Sequence, residues 1–324
     1  MSRRPIALFV AALTLGFAPR PAAAAASEDC PTFFPDFRCE RSGRYEGFVM
    51  PMAMPYLFED PFITTNVSVH GIFHDFPDDS ILDGGHAGVL AIQARVAITD
   101  RLAFIATKDG YTWLRPGHRL LSDQQGFMDI SAGLKYALID MPEHNFILTP
   151  SIRFDVPTGS SDIFSGNGDG VAIPAVAAAW GIGDFHVIAD LGGRIPFDSD
   201  DETTSLFYNV HFDYALHRLF VPFLEVSGTH YTGSGDGLLN VHTRVGDLRL
   251  NTVQTALGSG RADGNDVLNL GSRGVKGNDI VTMAVGARIA VMKHVSLGFS
   301  YEFPVTTRED LFQQRYTTNL TFEY

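Results

Sequence analysis

Over long stretches of this chain, apolar residues fall at every second position with polar residues between them. Near the C-terminal end Tyr316, Thr318, Leu320, Phe322 and Tyr324 share one register, and Arg315, Thr317, Asn319, Thr321 and Glu323 share the other. Successive side chains point to opposite faces of a β-strand, so this spacing predicts a strand with one lipid-compatible face and one polar face. The pattern repeats upstream. Val295, Leu297, Phe299, Tyr301 and Phe303 oppose His294, Ser296, Gly298, Ser300 and Glu302. Leu206, Tyr208, Val210, Phe212 and Tyr214 oppose Ser205, Phe207, Asn209, His211 and Asp213. Met128, Ile130, Ala132, Leu134 and Tyr136 oppose Asp129, Ser131, Gly133 and Lys135, and Leu90, Ile92, Ala94, Val96 and Ile98 oppose Gln93 and Arg95.

Read this way, the sequence predicts twelve strands, near 62–73, 86–98, 101–109, 125–138, 144–156, 169–181, 184–195, 203–215, 219–230, 278–290, 294–303 and 312–323. A soluble sandwich would alternate too. The links decide between the two. Short turns at 99–100, 140–143, 181–184, 216–218 and 291–293 alternate with longer polar links at 75–83, 110–124, 157–168, 196–202, 231–277 and 304–310. An even strand count, with short turns on one side and long loops on the other, is the pattern of an all-β, transmembrane antiparallel β-barrel of the outer membrane. After residue 26 no apolar run reaches about 18 residues, so a closed barrel is the one way this chain could cross a bilayer.

The N-terminus supports export. Arg3 and Arg4 precede an apolar run from residue 6 to 18, and the alanines at 22–26 offer small-residue cleavage sites, so residues 1–26 are expected to be a cleaved signal peptide. Residues 27–61 follow as an N-terminal segment, rich in Pro and aromatics, that either lies in the periplasm or threads into the barrel as a plug; residues 62–324 are the expected barrel. The two cysteines, Cys30 and Cys39, fall in that segment and are expected to form a small disulfide loop in an oxidising compartment. No metal site is expected, because the pair lacks further ligands.

The formal charge is −13, and the signal removes only basic residues. Such a chain would be repelled by phosphate backbones, which argues against nucleic acid. The final strand, with its terminal Tyr324, resembles the assembly signal of bacterial outer-membrane barrels. The expected partners are therefore outer-membrane lipid and lipopolysaccharide, the barrel-assembly machinery and a small-molecule solute. GLKY at 133–136, FDVPTG at 154–159, GNGDG at 166–170 and YEFP at 301–304 resemble the outer-membrane family named for the meta pathway of phenol degradation. That resemblance covers about residues 126–324, and it implies a barrel that passes small, aromatic-sized molecules.

The polar faces collect Arg95, Arg153, Asp155, Asp190, Arg194, His211, Asp213, Glu225, Arg288, Glu302 and Arg315. Inside a narrow barrel such mixed charges either line a selectivity path or form a paired network that rigidifies the wall. Phe207 and Phe223 fall on the same faces, as contacts for an aromatic solute or for a plug. Ser68 with His70, and His294 with Ser296, put a hydroxyl beside a base two residues apart, which is necessary for acyl chemistry and far from sufficient. The run 165–170 mimics the start of a calcium loop, but its twelfth position is Val176 where Glu is required. No cofactor motif or catalytic residue is expected. The sequence thus points to a channel or transporter for passive uptake of small, hydrophobic or aromatic molecules, with a lipid-modifying hydrolase and a structural or adhesive surface barrel as alternatives.

Overall fold

A computed structural model describes residues 45–324, except 46, 218, 258–261, 265, 293, 308 and 309. The expected signal peptide and the Cys30–Cys39 pair lie outside the described residues.

Twelve antiparallel strands follow one another round a closed barrel: β1 Asn66–Asp75, β2 Gly85–Ala97, β3 Leu102–Pro116, β4 in two parts, Gln124–Phe127 and Ile130–Tyr136, β5 Phe146–Val156, β6 Val171–Ile182, β7 Phe185–Pro196, β8 Ser205–Tyr214, β9 Phe220–Tyr231, β10 Asp279–Met292, β11 Val295–Pro304 and β12 Gln314–Glu323. Each pairs with its neighbour in sequence, and β1 closes the ring on β12 from Asn66↔Glu323 to Asp75↔Gln314. Closure leaves no unpaired edge in the hydrocarbon, which is why a sheet can span a membrane at all.

The alternation read from the sequence sets the faces. Phe299 is 49% exposed and Ser300 is 1% exposed, so one residue step separates the lipid face from the lumen. Leu90, Ile92, Leu134, Ile152, Leu191 and Leu206 also face outward. Aromatic rings gather near both ends of the outer face. Tyr111 touches Trp113 and Phe127 at one rim, with ring centroids 5.0 Å apart in each case, and Phe185 and Phe212 lie together at the other. The short connections from β2 to β3, β6 to β7, β8 to β9 and β10 to β11 share one rim, with a longer one from β4 to β5. The opposite rim carries 76–84, 117–123, 157–170, 197–204, 232–278 and 305–313, and is the extracellular one by the loop-length rule.

Three local expectations are corrected. Strand β1 begins at Asn66, not 62, because residues 62–65 belong to the preceding segment. Strand β3 runs to Pro116, seven residues past its expected end at 109. The cause is a bulge: Thr107 and Lys108 both turn inward opposite Gln93, and the register shifts between Ile92 and Ala94. One extra residue inverts the face of everything after it. Tyr111 and Trp113 therefore face outward, out of phase with Phe104, and the alternation looks lost in the sequence. Lastly, β4 breaks at Met128 and Asp129, and both turn inward, so Met128 is not on the outer face with Ile130.

Candidate functional site

The lumen is filled by the chain itself. The described residues between 45 and 65 run inside the barrel without forming a strand, and Met52, Ala53, Met54, Leu57, Phe58 and Phe62 are all buried there. Pro51, Pro55 and Pro61 suit this path, because each lacks the N–H a ladder would need. Met54 adopts a left-handed φ of 45°, and its carbonyl accepts from Leu57 and Phe58 N–H, both at 2.9 Å, in a single turn.

With no ladder to satisfy its backbone, the segment is held by side chains of the wall, as buried backbone polar groups require. Met52 N–H donates to Glu225 Oε1 at 2.9 Å and Ala53 N–H to Glu225 Oε2 at 2.5 Å. Arg153 donates to the carbonyls of Tyr56 and Leu57 at 2.6 and 3.0 Å. Gln93 donates to Pro55 O at 2.6 Å, Thr149 to Pro61 O at 2.7 Å and Arg288 to Met50 O at 3.3 Å. Asp190 accepts from Glu59 N–H at 3.3 Å and from Asn209 at 2.6 Å.

Charges on the segment meet charges on the wall. Arg95 grips Glu59 with two bonds, at 2.8 and 2.6 Å. Lys135 donates to Glu59 at 2.7 Å, to the Asp60 carbonyl at 2.9 Å and to the Asp60 carboxylate at 3.2 Å. Lys108, at the β3 bulge, lies between Asp155 at 3.3 Å and Asp129 at 3.6 Å. It also sits 4.6 Å above the Tyr56 ring, and the Tyr56 hydroxyl donates to Asp155. Burying such groups costs several kcal/mol each unless they are paired and hydrogen-bonded, so the pairing fixes the segment's register as much as it holds it.

A chain of alternating imidazoles and carboxylates crosses β7, β8 and β9. His186 meets Asp213 at 2.5 Å, Asp213 meets His211 at 3.1 Å, and His211 meets Glu225 at 2.6 Å. Phe48 of the segment stacks on His186 with centroids 4.2 Å apart, and Phe223 lies 5.3 Å from His211. The chain thus ends on the carboxylate that holds Met52 and Ala53. Phe207, fully buried, packs in the same apolar cluster as Phe48, Phe58 and Phe62.

At the extracellular end the link 232–278 folds into a cap. It contains a hairpin, Asn240–Thr243 with Gly246–Arg249, and a helix, α1, Leu250–Leu257. Val241, Leu250, Val253, Leu268 and Leu270 share one buried cluster with Phe76, Leu82, Leu114, Ile163 and Leu311 from other loops and strand ends. From this cap Asp266 reaches Arg315 with two bonds, at 3.0 and 2.5 Å. Glu302 sits opposite Arg315 in the ladder and reaches it at 3.4 Å, while accepting from Thr282 at 2.6 Å. Asp263 accepts from Thr203 at 2.6 Å, and Asn269 bonds Glu202. Burial pushes the Glu202 carboxyl up to about 7, helped by the carboxylates of Asp155 and Asp129. Burial, with Asp310 nearby, pushes the Asp263 carboxyl up to about 6.

All eleven polar residues read as lumen-facing are buried on that face. Arg95, Arg153, Asp155, Asp190, Glu225 and Arg288 contact the inner segment directly. His211 and Asp213 extend the contact of Glu225. Arg194 lies within electrostatic reach of Tyr56, Glu202 and Asp155. Glu302 and Arg315 belong to the extracellular end. Sequence reasoning passed over their partners: Glu59, Asp60 and Tyr56 in a segment without periodicity, Lys108 at a bulge and Asp266 in a long loop. Lys135 and His186 carried a usable signal, since both lie on the inward register of their strands.

Ser68 and His70 are not brought together as a hydroxyl and its base. Ser68 Oγ bonds Thr321 Oγ1 at 3.1 Å and His70 Nε2 lies 3.0 Å from Asn319, so this serine and histidine are each engaged elsewhere. The run 165–170 is a turn docked on Asp129, whose carboxylate accepts from Gly159 and Gly166 N–H at 3.0 and 2.8 Å.

No protein-family model matches the sequence, and no curated protein matches it. Among solved structures, the chain is similar to an outer membrane channel from Pseudomonas putida F1, with a TM-score of 0.53 at 15% identity, over 83% of this chain and 98% of that one. It is also similar to the NanC porin, with a TM-score of 0.48 at 9% identity, over 80% of this chain and 100% of that one. The first likeness shows the fold alone, that of an outer-membrane β-barrel, in keeping with the twelve strands described above.

Proposed function

We propose that this outer-membrane barrel is a passive channel for small, hydrophobic or aromatic molecules, and that residues 45–65 hold it closed in the conformation described. One observation carries the reading. The lumen is filled by a segment attached through side chains and not through a β-ladder, so it can leave without disturbing barrel closure. A wall meant only to be rigid would be filled by its own side chains, as small barrels are. The apolar rings on both partners, Phe207 and Phe223 on the wall and Phe48, Phe58 and Phe62 on the segment, favour an aromatic solute over a sugar or an ion. The family resemblance of 133–136, 154–159, 166–170 and 301–304 supports the same class.

The test is conduction by the purified full chain in planar bilayers. We expect a low resting conductance with discrete openings. Glu225→Ala removes the acceptor for Met52 and Ala53 N–H, and it should raise the open fraction. Silence in both proteins, with no uptake of an aromatic solute into liposomes, would overturn the proposal.

A further inference from the structure

The inner segment carries its own carboxylates into the barrel, and two wall cations depend on them. Among the described residues, the carboxylates within ion-pair distance of Arg95 and of Lys135 are those of Glu59 and Asp60. The wall supplies neutral neighbours instead. Arg95 pairs with Asn66 on one side and Ile105 on the other, and Lys135 pairs with Ala103 and Ser151. Elsewhere the lumen behaves differently: Lys108 has Asp155 and Asp129, and Arg315 has Glu302, all on wall strands or at the β4 break. Withdrawal of the segment would therefore strip Arg95 and Lys135 of both counter-charges while leaving those other cations paired.

Beside this cation pair lies a floor of small apolar side chains. Ala97 follows Arg95 on the same face and pairs with Ala103, which in turn pairs with Lys135; Ala137 follows Lys135. All three alanines are buried in one cluster with Phe58 and Phe62 of the segment. Methyl groups leave room that a ring can fill, and here rings of the segment fill it. Arg95 Nη1, also buried, has no hydrogen-bond partner among the described residues, so the guanidinium fork keeps a free donor beyond its two bonds to Glu59.

We propose that Arg95 and Lys135 form a solute site for an apolar, ring-sized carboxylate, and that Phe58-Glu59 occupies it as an internal mimic while the barrel is closed. The inference rests on the channel reading for its biological sense but concerns binding alone. A planar guanidinium matches a carboxylate with two parallel bonds, and an adjacent ammonium adds a point charge. The segment's local concentration makes it a strong competitor, so an external carboxylate binds weakly until the mimic's charge is removed.

The probe is benzoate, with benzyl alcohol as its uncharged counterpart, measured by equilibrium dialysis on the full chain in detergent. For wild type we expect weak binding of both. The E59Q/D60N variant should bind benzoate about tenfold more tightly or better, and benzyl alcohol no better than wild type does. Adding R95Q and K135Q to that variant should abolish the gain. No gain in E59Q/D60N, or an equal gain for benzyl alcohol, would overturn the site. Should E59Q/D60N refold poorly, benzoate present during refolding should restore its yield and benzyl alcohol should not; equal rescue by both, or by neither, would also overturn it. Binding without conductance would refute the channel and leave this site standing, and conductance without the benzoate gain would do the reverse.

Discussion

Asp266→Asn offers a quantitative test of how the cap is fastened. Among the described residues Arg315 has two carboxylate partners, and Asp266 is the one from the cap, through bonds of 3.0 and 2.5 Å to a fully buried guanidinium. Leaving a buried charge wholly unpaired costs about 3–5 kcal/mol. Glu302 remains 3.4 Å away and keeps part of the attraction, so the expected loss is about 2–3 kcal/mol. Glu302→Gln gives the comparison. It sacrifices one long bond and spares the bidentate pair, for an expected cost of about 1 kcal/mol or less. Denaturant unfolding in micelles, followed by intrinsic fluorescence, would measure both. Because Asp266 ties the cap to β12, D266N should also speed trypsin cleavage at the exposed Arg249, whereas E302Q should not. If E302Q proves as costly as D266N, or cleavage at Arg249 is unchanged, the cap is held by its apolar cluster and not by this ion pair.

Other expectations follow from the faces and loops. Phe299→Arg should cost about 2–4 kcal/mol and reduce assembled, heat-modifiable protein, because it places a charge against lipid; Phe299→Leu should be near neutral. A tag inserted at Asp200 should be labelled on intact cells, and one at Gly183 should not; the reverse result would invert the orientation. Glu202, which the cap's Asn269 bonds, and Asp263 within the cap have carboxyl pKa values raised to about 7 and about 6, so the folded extracellular end retains protons that the unfolded chain releases. Their contribution is then fully present below the ordinary carboxylate range and is lost as pH rises through about 6–7. Hydrogen exchange across 232–278, corrected for its intrinsic rate, should show weaker protection at about pH 8 than at about pH 5.5, and unchanged protection would contradict the assignment.

The barrel was legible because its inside–outside contrast is written at period two. Phe299 beside Ser300, or Tyr301–Tyr316 opposite Glu302–Arg315, needs only alternation and an antiparallel hairpin, and the observed register pairs those residues. Legibility failed where the period changes or does not apply. One added residue at Thr107-Lys108 reversed the phase of β3, and the break at Met128-Asp129 did the same to β4. The inner segment carries no period, since its backbone is satisfied by distant side chains such as Glu225 and Arg153. For that reason the inward charges could be found from sequence, but not what they grip: Arg95 announced itself by alternation, while Glu59 did not. The Glu302–Arg315 pair shows the same limit. Its register follows from the hairpin, but the tighter partner, Asp266, lies 49 residues away in a loop.

If residues 45–65 hold the lumen closed, a reversible tether between that segment and the wall should control conduction. A Cβ at Gly298 would touch the Met52 side chain, so cysteines at 52 and 298, with Cys30 and Cys39 changed to serine, would join the segment to β11. In planar bilayers the oxidised M52C/G298C protein should show no openings, and reduction should restore those of wild type. Equal conductance in the oxidised and reduced states, with the crosslink confirmed by mass, would show that current passes without the segment moving and would contradict the account.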